Sequence, residues 1–469
     1  MKMYINGEWV DRAETIPVLN PFDNSVIDTV PRGTAPDMDL AISSAVRGAK
    51  AMAKLTSYER YAILNRTAEL MSQRAEELGQ MITLEEGKVI SEGRGEVQRA
   101  IQTITISSEE AKRLHGETVP LDAAPGNVNQ FGFTIRVPVG VVAAISPFNF
   151  PLNLVCHKVG PALAAGNSVV LKPAGDTPLS ALKLVEILLE AGVPEEGIQC
   201  ITGPGSEIGD VLTGDPRVRK ITFTGSVEVG DRICRNAGIK KITMELGSNS
   251  PLIVMSDADI EKVAAATVSG GFGNAGQTCI STQRVFADRR VYADLLDALV
   301  APTEAFTTGN PMDETMRMGP MIREADAARV GQWISEAVNQ GARIVAGGDW
   351  EGNFHSPTIV ADATANMRIS REELFGPAVA VSAFSDIDEA INMANDSRFG
   401  LSAGIFTQNI DWAMRFAKEV ESGNLHINSS PQWRADLMPY GGLKDSGMGK
   451  EGPAYAVHEM TELKMVVFH

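Results

Sequence analysis

The chain has 469 residues, enough for two or three domains, and its 44% hydrophobic and 22% charged content is ordinary for a soluble globular protein. A net charge of −17 argues against nucleic acid or an anionic membrane as partner. Met1–Glu8 has no apolar signal-peptide core, and no apolar run is long enough to span a bilayer. Cys156, Cys200, Cys234 and Cys279 are scattered without metal-ligand spacing, so a cytoplasmic protein with no disulfide framework and no metal is expected.

A hairpin opens the chain, with the turn pair Asn6-Gly7 between Tyr4-Ile5 and Trp9-Val10. Two or three amphipathic helices are expected from about Asp37 to Gly116, one starting at the capping-box spacing Thr56-Ser57-Tyr58-Glu59. Val97, Ile101 and Ile104 recur at helical spacing, and Arg99 falls off that stripe. The Pro, Gly, Asn and Asp residues of Val119–Asn129 predict a loop between two extended arms.

From Gly140 short β-rich runs alternate with helical runs. The predicted strands are Val141–Ile145, Ser168–Lys172, Ile198–Thr202, Lys220–Thr224 and Lys241–Leu246. Between them come helices Leu152–Ala165, Pro178–Ala191, a short one near Ile208–Leu212, and Val227–Asn236. Such alternation predicts a parallel sheet with helices on both faces. It resumes after Pro251 and runs to about Asn428, giving a second α/β unit, and Leu463–Phe468 reads as a final strand. No internal repeat or low-complexity tract is present.

The chemistry centres on Gly273-Asn274-Ala275-Gly276-Gln277-Thr278-Cys279-Ile280-Ser281, where a cysteine follows a glycine-bearing turn. A thiol becomes a strong nucleophile as the thiolate, which a helix N-terminus or a cation favours. A lone cysteine is more often a small core residue. This one is accompanied by Ser146-Pro147-Phe148-Asn149-Phe150-Pro151, by Met244-Glu245-Leu246-Gly247-Ser248-Asn249-Ser250-Pro251 and by Glu373-Leu374-Phe375-Gly376-Pro377. In that order the four motifs resemble the aldehyde dehydrogenase superfamily, from about the first strand to the last residues.

The resemblance implies two Rossmann-like, doubly wound parallel-sheet domains. Residues 1–117 and 138–247 would form the NAD(P)-binding domain and 248–440 the catalytic domain. Segments 118–137 and 459–469, a protruding hairpin and the C-terminal strand, would build a homodimer or homotetramer. Cys279 would be the nucleophile, Asn149 the oxyanion donor and Glu245 the base that activates water. Apolar Met244 and Leu246 beside Glu245 favour its neutral form and move it toward base duty near neutral pH.

For the cofactor, NAD or NADP, Gly225 would let the backbone approach closely, and Ser226 at a helix start would offer its hydroxyl and free N–H groups to phosphate. Lys172 would meet the adenosine ribose, Glu373 the nicotinamide ribose, and Phe375 would pack on the ring. Ser146, Phe148, Ala174, Gly175, Gly205 and Gly247 complete the implied cofactor set. Gly203-Pro204-Gly205-Ser206-Glu207-Ile208-Gly209 nearly matches the dinucleotide fingerprint, but its third glycine is one residue late, so capping turn and cofactor contact stay equally open. Two departures stand out. Many relatives have Glu where this chain has Gly175, which makes NADP tolerable unless Asp176 substitutes for it. Ser248 also replaces a glycine common in the family.

Arg99, His157, Thr278, Arg434 and Tyr440 match positions of the substrate tunnel. Ser429–Asp436, which carries Arg434, reads as too polar and irregular for a core, and Arg99 as free to face a cleft. Arginines and a histidine there favour an aldehyde with an anionic tail, of the lactaldehyde, succinic semialdehyde or glyceraldehyde 3-phosphate type. Salt bridges at the surface or between subunits are the plainer fate of such arginines. Two further readings compete: a CoA-acylating semialdehyde dehydrogenase, whose members usually lack the base glutamate, and a non-catalytic structural relative, which would tend to lose the nucleophile.

Overall fold

The computed structural model describes the whole chain, Met1–His469. Two sheets form its frame. In the first, Ile198–Cys200, Ser168–Lys172, Val141–Ile145, Val218–Thr224 and Lys241–Glu245 lie side by side in that order, all parallel. The predicted N-terminal hairpin, Met3–Ile5 with Glu8–Val10, extends one edge by pairing Tyr4 antiparallel with Cys200. Its turn residues take φ of 56° at Asn6 and 84° at Gly7, as a two-residue turn that follows the strand twist requires. At the other edge Gly447–Met448 joins antiparallel to Met244 and Glu245. This two-residue strand arrives from far along the chain, and nothing in its local pattern announces it.

The strand order reverses beside Val141–Ile145. Successive strands go to one side of it as far as Cys200, and then to the other side from Val218. Such a reversal opens a crevice at the carboxyl ends of the strands, where ligands bind in open α/β sheets. Ser146, Lys172, Thr224 and Glu245 stand at those ends.

The second sheet orders Thr358–Ala361, Ala378–Phe384, Arg284–Asp288, Pro251–Val254, Ser402–Phe406 and Asn424–Ile427 in parallel, with Arg343–Ala346 antiparallel at one edge. The expected arms appear as Thr118–Val119 and Phe131–Pro138, and Thr461–Phe468 pairs along the whole of the latter. No helix is long and apolar enough to cross a membrane.

The N-terminal helices number four where two or three were expected: Ala35–Met52, Ser57–Gln73, Ala75–Glu86 and Ile90–Ala111. The second and third are divided only by Arg74, at φ −109° and ψ 18°, with neither Gly nor Pro to mark the break. Thr56 and Glu59 do form the capping box. On Ile90–Ala111, Val97, Ala100 and Ile104 are buried, and this helix packs on Asn153–Ala164. Asn153–Ala164 is buried at every position, so it carries no amphipathic signature; length and the flanking Gly166 betray it instead.

Candidate active site

A cavity of about 900 Å³ runs along the carboxyl ends of the first sheet and reaches Cys279. Every residue that the sequence matched to the cofactor lines it: Ser146, Phe148, Lys172, Ala174, Gly175, Gly205, Gly225, Ser226, Gly247, Glu373 and Phe375. So do Asn149, Glu245 and Cys279. Arg99, His157, Thr278, Arg434 and Tyr440 do not, and lie outside this cleft.

The cleft suits a dinucleotide phosphate. A Cβ on Gly225 would come within 2.5 Å of the Phe223 ring, so the backbone there stays bare. Ser226 caps helix Val227–Ala237, accepting the Val229 N–H at 3.4 Å, and the first turn faces the cavity with N–H groups to spare. The near-fingerprint turn starts helix Gly205–Gly214, whose cap Pro204 has no side chain to satisfy the first N–H groups, and whose Gly205, Ser206 and Gly209 line the cavity. A Cβ on Gly175 would meet open space. Lys172 is buried with only the Pro173 carbonyl at 3.1 Å as partner, and burial pushes its pKa down to about 8. An anion beside it would raise that pKa again. Phe375, at φ +48°, meets Phe148 edge-on at 5.9 Å, placing two aromatic rings in the wall.

Asp176 does not stand free to replace the missing glutamate. Arg323, from the loop entering helix Glu324–Asn339, binds its carboxylate, with Nε at 3.1 Å from Oδ1. Arg323, Arg329 and Trp333 reach the cavity from the second half of the chain, and no local motif singled them out. Ser248 is accommodated easily: its N–H donates to Glu373 Oε1 at 2.9 Å and its hydroxyl lies 3.2 Å from that of Ser250. A Cβ on the preceding Gly247 would strike that same Glu373 carboxylate, at 2.2 Å, so the glycine is the position that must stay small. Burial pushes the Glu373 pKa up to about 7, against the pull of the Ser248 N–H.

Cys279 follows a left-handed turn. Asn274 and Ala275 both have φ of 52°, and Gly276 has φ of 69°. Two consecutive non-glycine residues in this region are strained, and their complete burial holds them there. The Cys279 Sγ lies 3.0 Å from the Tyr440 hydroxyl, and the Arg434 guanidinium stacks 3.8 Å from the centre of the Tyr440 ring. Burial nevertheless dominates and pushes the thiol up to about 12, although the Tyr440 hydrogen bond and Arg434 pull it down. The resting thiol is therefore neutral. Its alkylation by iodoacetamide, without cofactor, should accelerate about tenfold per pH unit up to at least about pH 10, since only the thiolate reacts. Tyr440→Phe should slow it further at every pH. A plateau near neutrality would show that the thiolate forms unaided.

The Asn149 side chain donates Nδ2–H to the Gln277 carbonyl at 2.7 Å, two residues before Cys279. A carbonyl can only accept, so this bond fixes the amide orientation and leaves the second N–H uncommitted. Glu245 ends its strand with both carboxylate oxygens buried and without partners. Burial and the neighbouring Glu451 carboxylate drive its pKa well above the usual range, while Arg434 and Lys158 oppose the shift. The direction is the one that Met244 and Leu246 implied.

On the other side of Tyr440 the structure corrects the expectation for Arg99. Its guanidinium is not free to face a cleft: Nε and Nη2 clasp Asp436 at 3.0 and 2.9 Å. His157 is buried and bonds the same carboxylate through Nε2 at 2.9 Å, so it is a partner of Asp436 before it is a wall of any tunnel. The expectation that Ser429–Asp436 lies outside the core holds only in part: Trp433 is exposed and Ser429, Gln432 and Ala435 are half-buried, but the rest is not. Ser430, Pro431 and Asp436 are buried, and the Arg434 side chain is only 6% exposed. Polar residues enter here because they bond one another: Arg434 Nη2 reaches Glu451 at 3.1 Å and His157 at 3.2 Å, and Glu451 also takes Lys158 at 3.1 Å. Arg434 Nε remains buried with no partner. Thr278 is buried too, with its hydroxyl unpaired.

A dinucleotide-type crevice that ends on a cysteine, with an amide and a buried carboxylate beside it, has the form of an oxidoreductase site. The chain belongs to the aldehyde dehydrogenase family, whose sequence profile matches residues 9–466. The 3-sulfolactaldehyde dehydrogenase of Priestia megaterium is 49% identical over 467 residues, covering 100% of this chain and 98% of that protein. The lactaldehyde dehydrogenase of Methanococcus aeolicus is 39% identical, covering 99% of both. Among solved structures, aldehyde dehydrogenase 21 from Physcomitrella patens, in complex with the reaction product succinate, superposes with a TM-score of 0.97 at 39% identity, covering 100% of this chain and 98% of that one. The chain is thus an NAD(P)-dependent oxidoreductase acting on aldehydes, with an α/β fold.

Proposed function

We propose that the enzyme oxidises a short aldehyde with an anionic tail, 3-sulfolactaldehyde first among the candidates, to the carboxylic acid. The observation that carries this reading is Arg434, buried beside the Tyr440–Cys279 pair with an unpartnered Nε. Arg99, Arg434 and Lys158 face only Asp436 and Glu451 as close carboxylate partners, and Glu245 tends to neutrality, so the cluster keeps a cationic excess. A sulfonate or carboxylate would balance it. The 3-sulfolactaldehyde dehydrogenase among the relatives and the succinate-bound neighbour support an anionic tail, and the lactaldehyde dehydrogenase supports a short aldehyde.

As the thiol proton passes to solvent, the Cys279 sulfur attacks the aldehyde carbon, and the spare Asn149 N–H with the Cys279 N–H receives the oxyanion of the thiohemiacetal. Bound nicotinamide supplies the hydride acceptor, and Cys279 is left carrying a thioester. Glu245 takes a proton from water, the hydroxyl adds to the thioester carbon, and the acid leaves as the thiol reforms. The presence of Glu245 favours this hydrolytic route over transfer to CoA, and the presence of all three groups speaks against a non-catalytic relative. Gly175, with Asp176 held by Arg323, admits NADP as well as NAD.

We assign residues 1–117 and 138–247 to the cofactor domain and 248–440 to the catalytic domain. Segments 118–137 and 459–469 would assemble a homodimer or homotetramer; Phe131, Leu463, Met465 and Phe468 are exposed on that three-stranded sheet and would be covered by another copy. A cytoplasmic setting fits a nucleophile that must stay reduced.

Arg434→Ala should lower kcat/KM on 3-sulfolactaldehyde or succinic semialdehyde by roughly ten- to a hundredfold, the worth of one charge-assisted hydrogen bond, and change propanal little. Arg99→Ala, which breaks a structural pair, should affect charged and neutral aldehydes alike. Equal losses on both substrates in the Arg434 variant would end the anionic-tail reading.

A further inference from the structure

Behind the loop that carries Asn149 lies a charge cluster that the reaction scheme leaves unused. Lys88 is 2% exposed, between helices Ala75–Glu86 and Ile90–Ala111. Its ammonium donates to Glu96 Oε2 at 2.8 Å and to the Asn149 main-chain carbonyl at 2.6 Å, and sits 3.9 Å from the centre of the Phe150 ring. The other Glu96 oxygen accepts the N–H groups of Leu152 and Asn153, at 2.9 and 3.0 Å, where the next helix begins. One buried ion pair therefore grips the segment Asn149–Asn153 at both ends.

The same Asn149 carbonyl accepts a second bond, from Asn274 Nδ2 at 3.2 Å. Asn274 belongs to the strained turn ahead of Cys279, and its own N–H donates to Glu92 Oε1 at 3.0 Å. The cluster thus touches both the loop of the oxyanion donor and the loop of the nucleophile. Burial pushes Glu86 up to about 8 and raises Glu92; the close carboxylate partner of the Lys88 ammonium is Glu96, at 2.8 Å. A buried ion pair is no more stabilising than a well-packed apolar pair of the same volume. Stability alone does not account for it.

We propose that Lys88 is a positioning residue for the oxidation step: with Glu96 it clamps Asn149–Asn153 so that the free Asn149 N–H stays where the oxyanion forms. The proposal rests on the reading that Asn149 serves the oxyanion. Lys88 touches neither substrate nor cofactor and acts through the peptide that follows Asn149.

The test is a double-mutant cycle read by single-turnover NAD(P)H formation, with dissociation of the oxidised cofactor measured in parallel. Lys88→Met should slow the single turnover by roughly ten- to a hundredfold, the scale of a displaced oxyanion donor, and leave cofactor affinity within about twofold. In an Asn149→Ala background the same change should cost less than about twofold more, because residues acting as one unit are not additive. A full extra loss in that background, or no loss in the native one, overturns the proposal. If Asn149→Ala alone leaves turnover intact, the underlying reading of Asn149 falls instead. Lys88→Met combined with Glu96→Gln removes the pair without stranding a buried charge; it should fold and show the same slow turnover, and its failure to fold would also count against the clamp.

Discussion

Cys279→Ala should reduce aldehyde oxidation by at least about four orders of magnitude while cofactor binding and folding persist, because the atom removed is the one that bonds the substrate in the proposed scheme. The side chain is small and lies in a turn held by its backbone: Gln277 N–H donates to Asn274 O, and Ser281 N–H donates to Thr278 O. Its loss leaves those bonds in place. Cys156, Cys200 and Cys234 changed singly to Ser should retain turnover, since none lines the cleft. Steady-state NAD(P)H formation measures both outcomes. Near-normal activity in the Cys279 variant would remove the nucleophile from the scheme.

Glu245→Gln should separate the two halves of the reaction. In the proposed scheme hydride leaves before water enters, so one equivalent of NAD(P)H should appear in a burst and further turnover should fall by about a thousandfold or more, the scale of a lost general base. The native enzyme should show the complementary pH behaviour. The folded-state pKa of Glu245 is raised, so the carboxylate form that the scheme needs to activate water is scarce below that pKa and gains with rising pH. Hydrolysis should therefore accelerate toward alkaline pH, and the Gln variant should lose that dependence. Disappearance of the burst as well would mean that Glu245 acts earlier, on the thiol.

Much of this site was legible in the sequence because it is built at strand ends. Val141–Ile145, Ser168–Lys172 and Lys241–Glu245 announce themselves by apolar β-rich runs, and the residue at or after each end is a cleft residue: Ser146, Lys172 and Glu245. Short motifs could be read there since backbone and function coincide over a few residues. The substrate side was harder. Arg99 and Asp436 are 337 residues apart, and Arg434 and His157 are 277 apart, so no local pattern could pair them. An arginine off an apolar stripe looks free until its partner arrives from elsewhere. The same reason hid Lys88, whose sequence surroundings suggest a solvated charge while Glu96 and the Asn149 carbonyl bury it completely. Arg323 is a third case, reaching Asp176 across 147 residues.

The central claim is a covalent acyl intermediate on Cys279 that Glu245 hands to water. The most direct measurement is mass spectrometry of the Glu245→Gln enzyme, acid-quenched after one turnover with oxidised cofactor and succinic semialdehyde and digested to peptides. The account predicts a succinyl mass increment on the peptide containing Cys279, in proportion to the NAD(P)H formed. NAD(P)H formed in full with Cys279 unmodified, or with the increment on another residue, would contradict it.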